Sequence, residues 1–185
     1  IHHQKENYCV NVNPIVNRSC YDDGKRAAEI LFYDYYREYN TNITISRIFN
    51  TYGPKMAPND GRVITNFILQ ALQNNPLSIF GDGKQTRSFC YIDDMVSGLI
   101  KLMESNIVGP INLGNPEEIT ILDLAKKIIQ LTDSKSELKF YPLPKNDPLR
   151  RKPDIKLVKK ELNWTNKFEL NDGLKKTISY FKKII

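Results

Sequence analysis

The chain is poor in the residues that most often bind metals or act as general bases. It has three cysteines and two histidines in 185 residues, and both histidines, His2 and His3, lie at its start. Cys9, Cys20 and Cys90 have no metal-ligand spacing and do not form an even set that would pair in disulfides. We therefore expect reduced thiols in a reducing compartment, no metal site, and no acid–base chemistry by histidine within this chain.

Long apolar runs are also missing. No stretch approaches the roughly 20 residues that span a bilayer, and residues 1–7 are too polar for a signal peptide. With 41% hydrophobic and 26% charged residues, the composition is that of a soluble globular protein. We expect a cytoplasmic protein with no membrane segment in this chain, and a Golgi or ER lumenal location would require an anchor upstream of residue 1.

Negative charge is in deficit, and the formal net charge is +6. The positive excess is concentrated in the C-terminal third, and nucleic-acid binding is one interpretation of it. The lysines, however, alternate with apolar residues at helical spacing, and no stripe of basic and aromatic residues is present. We favour a solvated helix surface with a few arginines that face an anionic small molecule, and we expect no nucleic-acid partner.

The glycine-rich fingerprint of dinucleotide-binding folds is missing as well. Gly81-Asp-Gly83 begins like G-x-G-x-x-G, but Thr86 stands where the third glycine belongs, and a strand pattern follows instead of a helix. We interpret Gly81-Asp-Gly83 as a hairpin turn between two strands.

Alternating strand and helix patterns nevertheless predict the α/β class. Strands are predicted at 43–49, 77–80, 86–92, 110–113 and 138–141, and helices at 21–39, 63–73, 94–104, 120–132, 154–162 and 170–184, after a loop at 1–20. Asp93 or Asp94 is expected to cap the third helix, and Thr120 the fourth. The apolar stripe of helix 21–39 is too wide for one contact, so we expect this helix to be buried on two sides, against its own sheet and against a partner helix or subunit.

Tyr21 and Lys25 give the first chemical signal. Residues four apart on a helix lie on the same face, so the phenol and the ammonium would point into the same space. A nearby cation favours the phenolate form of a tyrosine, which suits a general base that removes a hydroxyl proton. The spacing alone is weak, because an exposed tyrosine that packs on a lysine stem gives the same pattern.

Several short motifs are specific in their order and spacing. They are Asn11-Val-Asn-Pro-Ile15, Cys20-Tyr-Asp-Asp-Gly-Lys-Arg26, Arg47-Ile-Phe-Asn-Thr-Tyr-Gly-Pro54, Asn59-Asp-Gly-Arg62, Asn66-Phe-Ile-Leu-Gln-Ala-Leu72, Gly83-Lys-Gln-Thr-Arg-Ser-Phe89, Ile111-Asn-Leu-Gly-Asn-Pro-Glu-Glu118 and Arg151-Lys-Pro-Asp-Ile155. Over nearly the whole chain they resemble the later part of extended short-chain dehydrogenases/reductases of the NAD-dependent epimerase/dehydratase superfamily. Among these, the chain is most similar to the UDP-glucuronate decarboxylases, also called UDP-xylose synthases.

The resemblance implies the C-terminal part of a Rossmann-type doubly wound sheet plus a smaller α/β substrate-binding domain. Residues 1–60 would be the remainder of the NAD-binding Rossmann domain. Residues 61–185 would mainly form the nucleotide-sugar-binding domain, with about 86–112 returning to the Rossmann sheet. In the family, the Gly-rich loop and a catalytic Ser or Thr precede this region, so we expect a fragment that is inactive alone.

The resemblance also implies a lyase mechanism that uses NAD. Tyr21 would take the proton from the sugar 4-hydroxyl while hydride passes to NAD, and Lys25 would favour the phenolate and hold the nicotinamide ribose. The 4-keto sugar then loses its carboxylate as carbon dioxide, and hydride returns. UDP-glucuronate becomes UDP-xylose, and the cofactor is regenerated in each cycle.

The remaining site residues are likewise implied by the resemblance. Arg87 is expected to bind the diphosphate, and Arg151 to contact the diphosphate or carboxylate or to act as an acid, since a guanidinium grips such groups in bidentate fashion. Further substrate contacts are expected from Asn50, Asn66, Phe67, Ile79 and Phe80, and cofactor contacts from Thr51 and Arg62. The alternatives are surface charge for Arg151, a solvent-facing amide for Asn66, capping of loop carbonyls for Arg62, and core packing for the three apolar residues.

Two other functions stay open. One remains in the superfamily and changes the reaction to a nucleotide-sugar 4,6-dehydratase or 4-epimerase. The other is a non-catalytic fragment that binds a UDP-sugar or serves as a dimerisation module. In either case we expect a homodimer through the helix 21–39.

Overall fold

The computed structural model describes residues 4–8, 19–143 and 150–185. Its helices are α1 (Ser19–Tyr39), α2 (Val63–Leu72), α3 (Ile92–Met103), α4 (Ile121–Thr132), α5 (Lys156–Leu162) and α6 (Leu170–Phe181). Its strands are β1 (Ser46–Ile48), β2 (Thr51–Tyr52), β3 (Leu77–Phe80), β4 (Thr86–Ser88), β5 (Cys90–Tyr91), β6 (Ile111–Leu113), β7 (Glu118–Thr120), β8 (Leu138–Tyr141) and β9 (Arg150–Arg151). The predicted α/β class is confirmed. Most of the predicted 1–20 loop, with His2, His3, Cys9 and the 11–15 motif, lies outside the described residues.

Parallel pairing dominates the sheets. Strand β1 pairs with β6, and Arg47 lies opposite Asn112. Strand β2 pairs with β5, and Thr51 lies opposite Cys90. Both are parallel pairs, which need a crossover segment between their strands, and both join residues 46–52 to residues 90–113. The other sheets are the parallel pair β3–β8 and the three-stranded order β7–β4–β9.

The turn Gly81-Asp-Gly83 is not a hairpin. Strand β3 pairs with β8, whereas β4 pairs with β7 and β9, so the turn carries the chain from one sheet to another. Gly81 and Gly83 have φ of +69° and +74°, a conformation that glycine adopts without steric cost. The glycines therefore mark a reversal correctly, but a local turn signal does not determine which strands pair.

Two buried apolar clusters hold these elements together. The first packs α2, α4 and α6 against β3 and includes Phe67, Leu77, Ile79, Leu124, Ile128 and Phe181. The second packs α3 and α5 against β5 and β6 and includes Cys90, Met95, Ile111, Leu113, Val158 and Trp164. The sheets that carry the candidate site residues therefore rest on two separate cores.

One of the two predicted helix caps is present and the other is not. Thr120 caps α4 as predicted, because its Oγ1 accepts the Asp123 N–H at 3.0 Å. The predicted cap of α3 by Asp93 or Asp94 is wrong, because the helix begins at Ile92. Asp94 is buried, and its carboxylate accepts the N–H groups of Lys167 and Phe168 at 3.0–3.1 Å, so it caps the start of the segment before α6.

Helix α1 differs from its prediction in burial. None of its residues is buried, and its large apolar side chains are exposed: Tyr21, Ile30, Leu31, Phe32, Tyr35, Tyr36 and Tyr39. A stripe this wide needs neighbours on both sides, and the described residues do not supply them. In the described ranges, no helix combines the length and apolar character that crossing a bilayer requires.

Candidate functional site

Tyr21 and Lys25 lie one above the other on α1. The Lys25 Nζ is 5.6 Å from the centroid of the Tyr21 ring, a distance at which an ammonium and an aromatic face attract each other. Tyr21 is 58% exposed. The geometry thus supplies a phenol with an adjacent cation on an accessible helix face.

Polar contacts attach α1 to the rest of the chain. The Glu29 carboxylate accepts two hydrogen bonds from the Arg47 guanidinium, at 3.1 Å from Nε and 2.6 Å from Nη2. The Tyr33 hydroxyl donates to the Gly109 carbonyl. Sequence reasoning missed these residues, although Glu29 and Tyr33 follow Tyr21 and Lys25 at the same interval of four.

Thr51 and Arg62, the predicted cofactor-side residues, are in contact. The Arg62 Nη1 donates to the Thr51 carbonyl at 3.5 Å, and the Arg62 Nε lies 3.7 Å from the Asp60 carboxylate. The contact with the Thr51 carbonyl matches the alternative reading of Arg62 as a cap of local carbonyls. The Thr51 hydroxyl donates to the Phe49 carbonyl at 2.9 Å.

The two predicted substrate asparagines lie in separate places. The Asn50 amide donates to the Ser88 carbonyl at 3.3 Å, at the junction of β1 with β2. The Asn66 amide donates to the Gly61 carbonyl at 3.3 Å, in the first turn of α2. Each amide nitrogen is engaged within the chain, and each amide also has an oxygen that can accept a hydrogen bond.

Arg87 and Arg151 lie side by side. They are register partners on the parallel strands β4 and β9, so their side chains project from the same face of this sheet. Both side chains are partly buried, and the Arg87 Nη1 donates to the Thr86 carbonyl at 2.9 Å. Two arginines on one face of a strand pair suit a divalent anion such as a diphosphate, because each guanidinium can bind phosphate oxygens in bidentate fashion.

Glu118 supports this strand pair. Its Oε1 accepts the Thr86 hydroxyl at 2.6 Å, and its Oε2 lies 3.7 Å from the Lys152 Nζ. It thereby connects β4 to the residue after β9. Sequence reasoning missed this role, because the contact depends on a strand pairing that spans more than 60 residues of sequence.

The three predicted apolar substrate contacts divide into two kinds. Phe67 and Ile79 are 1% and 0% exposed and belong to the first core cluster, so the structure supports their alternative role in packing and leaves them no side-chain surface for a ligand. Phe80 is 45% exposed, and its ring centroid is 5.8 Å from that of Tyr141. Only Phe80 of the three presents a ring to solvent.

Cys90 is unsuited to act as a nucleophile. Burial, with a further contribution from the Asp94 charge, raises the pKa of its thiol to about 12, so the thiol stays protonated at neutral pH. The Asn166 amide donates to its Sγ at 3.3 Å. Burial also raises the pKa of Tyr52 well above its usual range, which leaves the exposed Tyr21 as the better candidate for proton transfer.

Residues 2–114 match the family described as NAD dependent epimerase/dehydratase. The chain belongs to this family. The match covers more than half of the chain and includes Tyr21, Lys25 and Arg87. The predicted membership of the epimerase/dehydratase superfamily is confirmed.

Individual relatives narrow the similarity. The chain is 50% identical over 184 residues to UDP-glucuronic acid decarboxylase 1 of Arabidopsis thaliana, with 100% of this chain and 42% of the relative covered. It is 50% identical to UDP-glucuronic acid decarboxylase 1 of Danio rerio, over 99% of this chain and 44% of the relative. The chain therefore spans about half the length of the curated relatives it matches.

A solved structure of the family has the same fold. It is UDP-glucuronic acid 4-epimerase from Bacillus cereus in complex with UDP-glucuronic acid and NAD. The TM-score is 0.85 at 30% identity, over 97% of this chain and 60% of the epimerase. The similarity extends the α/β assignment to a Rossmann-like epimerase/dehydratase fold.

The residues of the chain fit one end of an NAD molecule. Tyr21 and Lys25 stand exposed on α1, and their hydroxyl and ammonium can hydrogen-bond the hydroxyls of a ribose. Thr51 and Arg62 provide a further hydroxyl and a cation beside β2. These hydroxyl and cationic groups are of the kinds that bind the ribose and phosphate oxygens of the NAD that the family description names.

Proposed function

We propose that this chain is part of an NAD-dependent decarboxylase that converts UDP-glucuronate to UDP-xylose. The observation that carries the proposal is the register pairing of Arg87 with Arg151, in a chain 50% identical to a UDP-glucuronic acid decarboxylase. Two arginines on one sheet face match the negative charge of a diphosphate or carboxylate, and the planar fork of each can bind two of its oxygens.

In this proposal Tyr21 is the general base. As a phenolate it accepts the proton of the sugar 4-hydroxyl, with the Lys25 Nζ 5.6 Å from the centroid of its ring. NAD, when bound, supplies a reversible hydride acceptor. The ketone formed at C4 lies β to the carboxylate, so the electrons of the breaking C–C bond flow toward the ketone oxygen as carbon dioxide leaves. The resulting enolate takes a proton from solvent at C5, hydride returns to C4, and Tyr21 gives its proton back to the 4-oxygen.

The other residues hold the substrate. Arg87 binds the diphosphate, and Arg151 binds the diphosphate or the departing carboxylate. Asn50 and Asn66 form hydrogen bonds with the nucleotide sugar, and the exposed ring of Phe80 packs against the base. Removal of these contacts should affect binding more than chemistry.

We further propose the division into residues 1–60, as the remainder of an NAD-binding domain, and residues 61–185, as the main nucleotide-sugar-binding part. The pairing of β1 with β6 and of β2 with β5 supports the return of about 86–112 to the first unit. Because the chain spans about half the length of its relatives, we propose that turnover requires a polypeptide of the relatives' length and that the 185 residues alone are inactive.

The test is a product assay on the polypeptide of full length. UDP-glucuronate is supplied with NAD, released carbon dioxide is trapped, and the nucleotide sugars are identified by mass spectrometry and NMR. The proposal expects carbon dioxide and a UDP-pentose in equal amounts. A 4-epimer of UDP-glucuronate without carbon dioxide would contradict the proposal and indicate a 4-epimerase instead.

We also propose a homodimer through α1. This helix has a row of exposed apolar side chains that includes Leu31, Tyr35 and Tyr39. Single exposed apolar residues are common on protein surfaces, but a continuous group of them marks an interaction site. Sedimentation equilibrium of the full-length polypeptide should show a dimer, and Leu31→Glu should shift it to monomer. A wild-type monomer at micromolar concentration contradicts the proposal.

For location we propose the cytoplasm. Cys20 and Cys90 are free thiols in the described part of the chain, and a reducing compartment suits free thiols. Fractionation of cells that produce the full-length polypeptide tests this, and recovery in the Golgi or ER lumen contradicts it.

A further inference from the structure

Helix α1 presents one row of side chains with two different tasks. Tyr21, Lys25, Glu29 and Tyr33 follow one another at intervals of four, which places them in one slowly turning row. The first two form the proposed acid–base pair, and the last two contact the rest of the chain. Among the described residues, no α1 side chain is buried, so polar contacts are the candidates for fixing the rotation of the helix.

The contact between Glu29 and Arg47 has the geometry to fix that rotation. Both oxygens of the Glu29 carboxylate are bound by the Arg47 guanidinium, at 3.1 and 2.6 Å. Such a bidentate pair has one preferred orientation, unlike a contact with a lysine ammonium. The side chains of Arg47 and Glu29 are 32% and 25% exposed, so solvent screens this pair less than a fully exposed one.

Arg47 connects helix α1 to β1, the strand that leads into the site. It lies on β1, three residues before Asn50 and four before Thr51. Its Nη1 also donates to the Glu6 carbonyl at 2.7 Å. A shift of the guanidinium would therefore move α1 relative to both the strand and residues 4–8.

We propose that Glu29 is a positioning residue that acts through Arg47 to hold Tyr21 and Lys25 in register with β1. Glu29 lies two helical turns from Tyr21 and acts through the orientation of the helix. The proposal rests on the proposed function for the role of Tyr21, whereas the orientation of α1 can be measured without turnover.

The first experiment is a kinetic comparison in the full-length enzyme. Glu29→Gln keeps the shape of the side chain and removes its charge. We expect kcat to fall roughly 10- to 100-fold, because a misplacement of about 1 Å in a reacting group costs up to about 10²-fold. The KM for UDP-glucuronate should change little, because the arginines that hold the substrate lie on β4 and β9. Arg47→Lys keeps the charge without the fork and should retain more activity than Arg47→Met.

The second experiment measures amide hydrogen exchange in α1. Glu29→Gln and Arg47→Met should speed exchange across Ser19–Tyr39, while the fluorescence of Trp164, which reports the second core cluster, stays as in the wild type. The matched control is Lys175→Ala, which breaks the exposed Asp172–Lys175 ion pair (3.9 Å) on α6. This control should leave kcat and α1 exchange unchanged.

The proposal is overturned if Glu29→Gln leaves both kcat and α1 exchange unchanged. It is also overturned if the variant loses UDP affinity and Trp164 emission together with kcat, because that pattern is global destabilisation. Tyr21→Phe separates the two proposals. If that variant keeps full turnover, the proposed function is wrong, and faster α1 exchange in Glu29→Gln still supports the anchoring of the helix.

Discussion

Arg87→Ala is the sharpest perturbation of the proposed substrate site. Arg87 and Arg151 share one face of the β4–β9 pair, and each would make charge-assisted hydrogen bonds to the diphosphate. Hydrogen bonds to charged groups contribute about 1.5–3 kcal/mol. Since about 1.4 kcal/mol is a factor of ten in an equilibrium constant, Arg87→Ala should weaken UDP binding by roughly 10- to 150-fold.

The chain provides a matched control in Arg150. It is adjacent to Arg151 and exposed, but it pairs in register with Thr86, so its side chain projects from the opposite face of the strand. Arg150→Ala removes the same charge from the same region. At roughly 10 Å through water this charge attracts a divalent anion by about 0.8 kcal/mol, which one Debye length of salt screening reduces to about 0.3 kcal/mol, less than twofold in affinity.

The assay is titration calorimetry of UDP into the full-length protein and its variants at two salt concentrations. We expect a large loss of affinity for Arg87→Ala and Arg151→Ala, a smaller one for Arg87→Lys, and almost none for Arg150→Ala. Equal losses for Arg87→Ala and Arg150→Ala would show a general charge effect in place of a built site. Unchanged affinity in Arg87→Ala would remove the observation on which the proposed substrate class depends.

Three further predictions concern the base and the fold. Tyr21→Phe should lower kcat by about 10²–10⁴-fold, the usual contribution of general acid–base catalysis, with UDP affinity intact by calorimetry; loss of UDP affinity would contradict the role. Gly173→Ala would place a methyl group 2.1 Å from the Tyr52 hydroxyl and should lower the free energy of unfolding by about 1–3 kcal/mol in denaturant titrations. The control is Gly24→Ala, whose methyl group meets nothing within 4 Å and should not lower it. Equal stability of both variants would contradict this packing. The pKa of the Cys90 thiol is raised to about 12 in the folded state. The contribution of the thiol to stability is therefore complete below the pKa of the thiol in the unfolded chain and is lost as the pH rises. The free energy of unfolding should fall between about pH 9 and 12, with a slope of up to about 1.4 kcal/mol per pH unit. Cys90→Ala should flatten that slope, and an unchanged slope would refute the assignment.

The sequence identified the local features of this chain well. The interval of four between Tyr21 and Lys25 placed them on one helix face, and Thr120 was identified as a cap, because both depend only on residues within one or two turns. The α/β class followed from alternating patterns for the same reason. Local propensity and periodicity were sufficient for these elements.

Partner choice was beyond the local signals. Leu77–Phe80 pairs with Leu138–Tyr141 across about 60 residues, and nothing in the glycine turn that follows it indicates that partner. In the sequence, Asp94 precedes a helical pattern as a cap would. In the structure its buried carboxylate accepts hydrogen bonds from backbone N–H groups more than 70 residues away, those of Lys167 and Phe168. Tertiary contacts override local preference in such cases.

The candidate site shows the same division. Resemblance to a family named Arg87 and Arg151, but only the strand register shows that they are neighbours. The apolar side chains of Phe67 and Ile79 would suit contact with a nucleotide base as well as packing in the core. Only their burial distinguishes these two roles. The contact between Glu29 and Arg47 was hidden because it joins a helix to a strand.

The first described residue, Gln4, forms hydrogen bonds with residues far from it in the sequence. The Gln4 N–H donates to the Lys152 carbonyl, and the Gln4 carbonyl accepts from Asp154 N and from the Asn112 amide, each at 2.9 Å. The start of the described chain is therefore held by backbone and side-chain partners more than 100 residues further along the sequence.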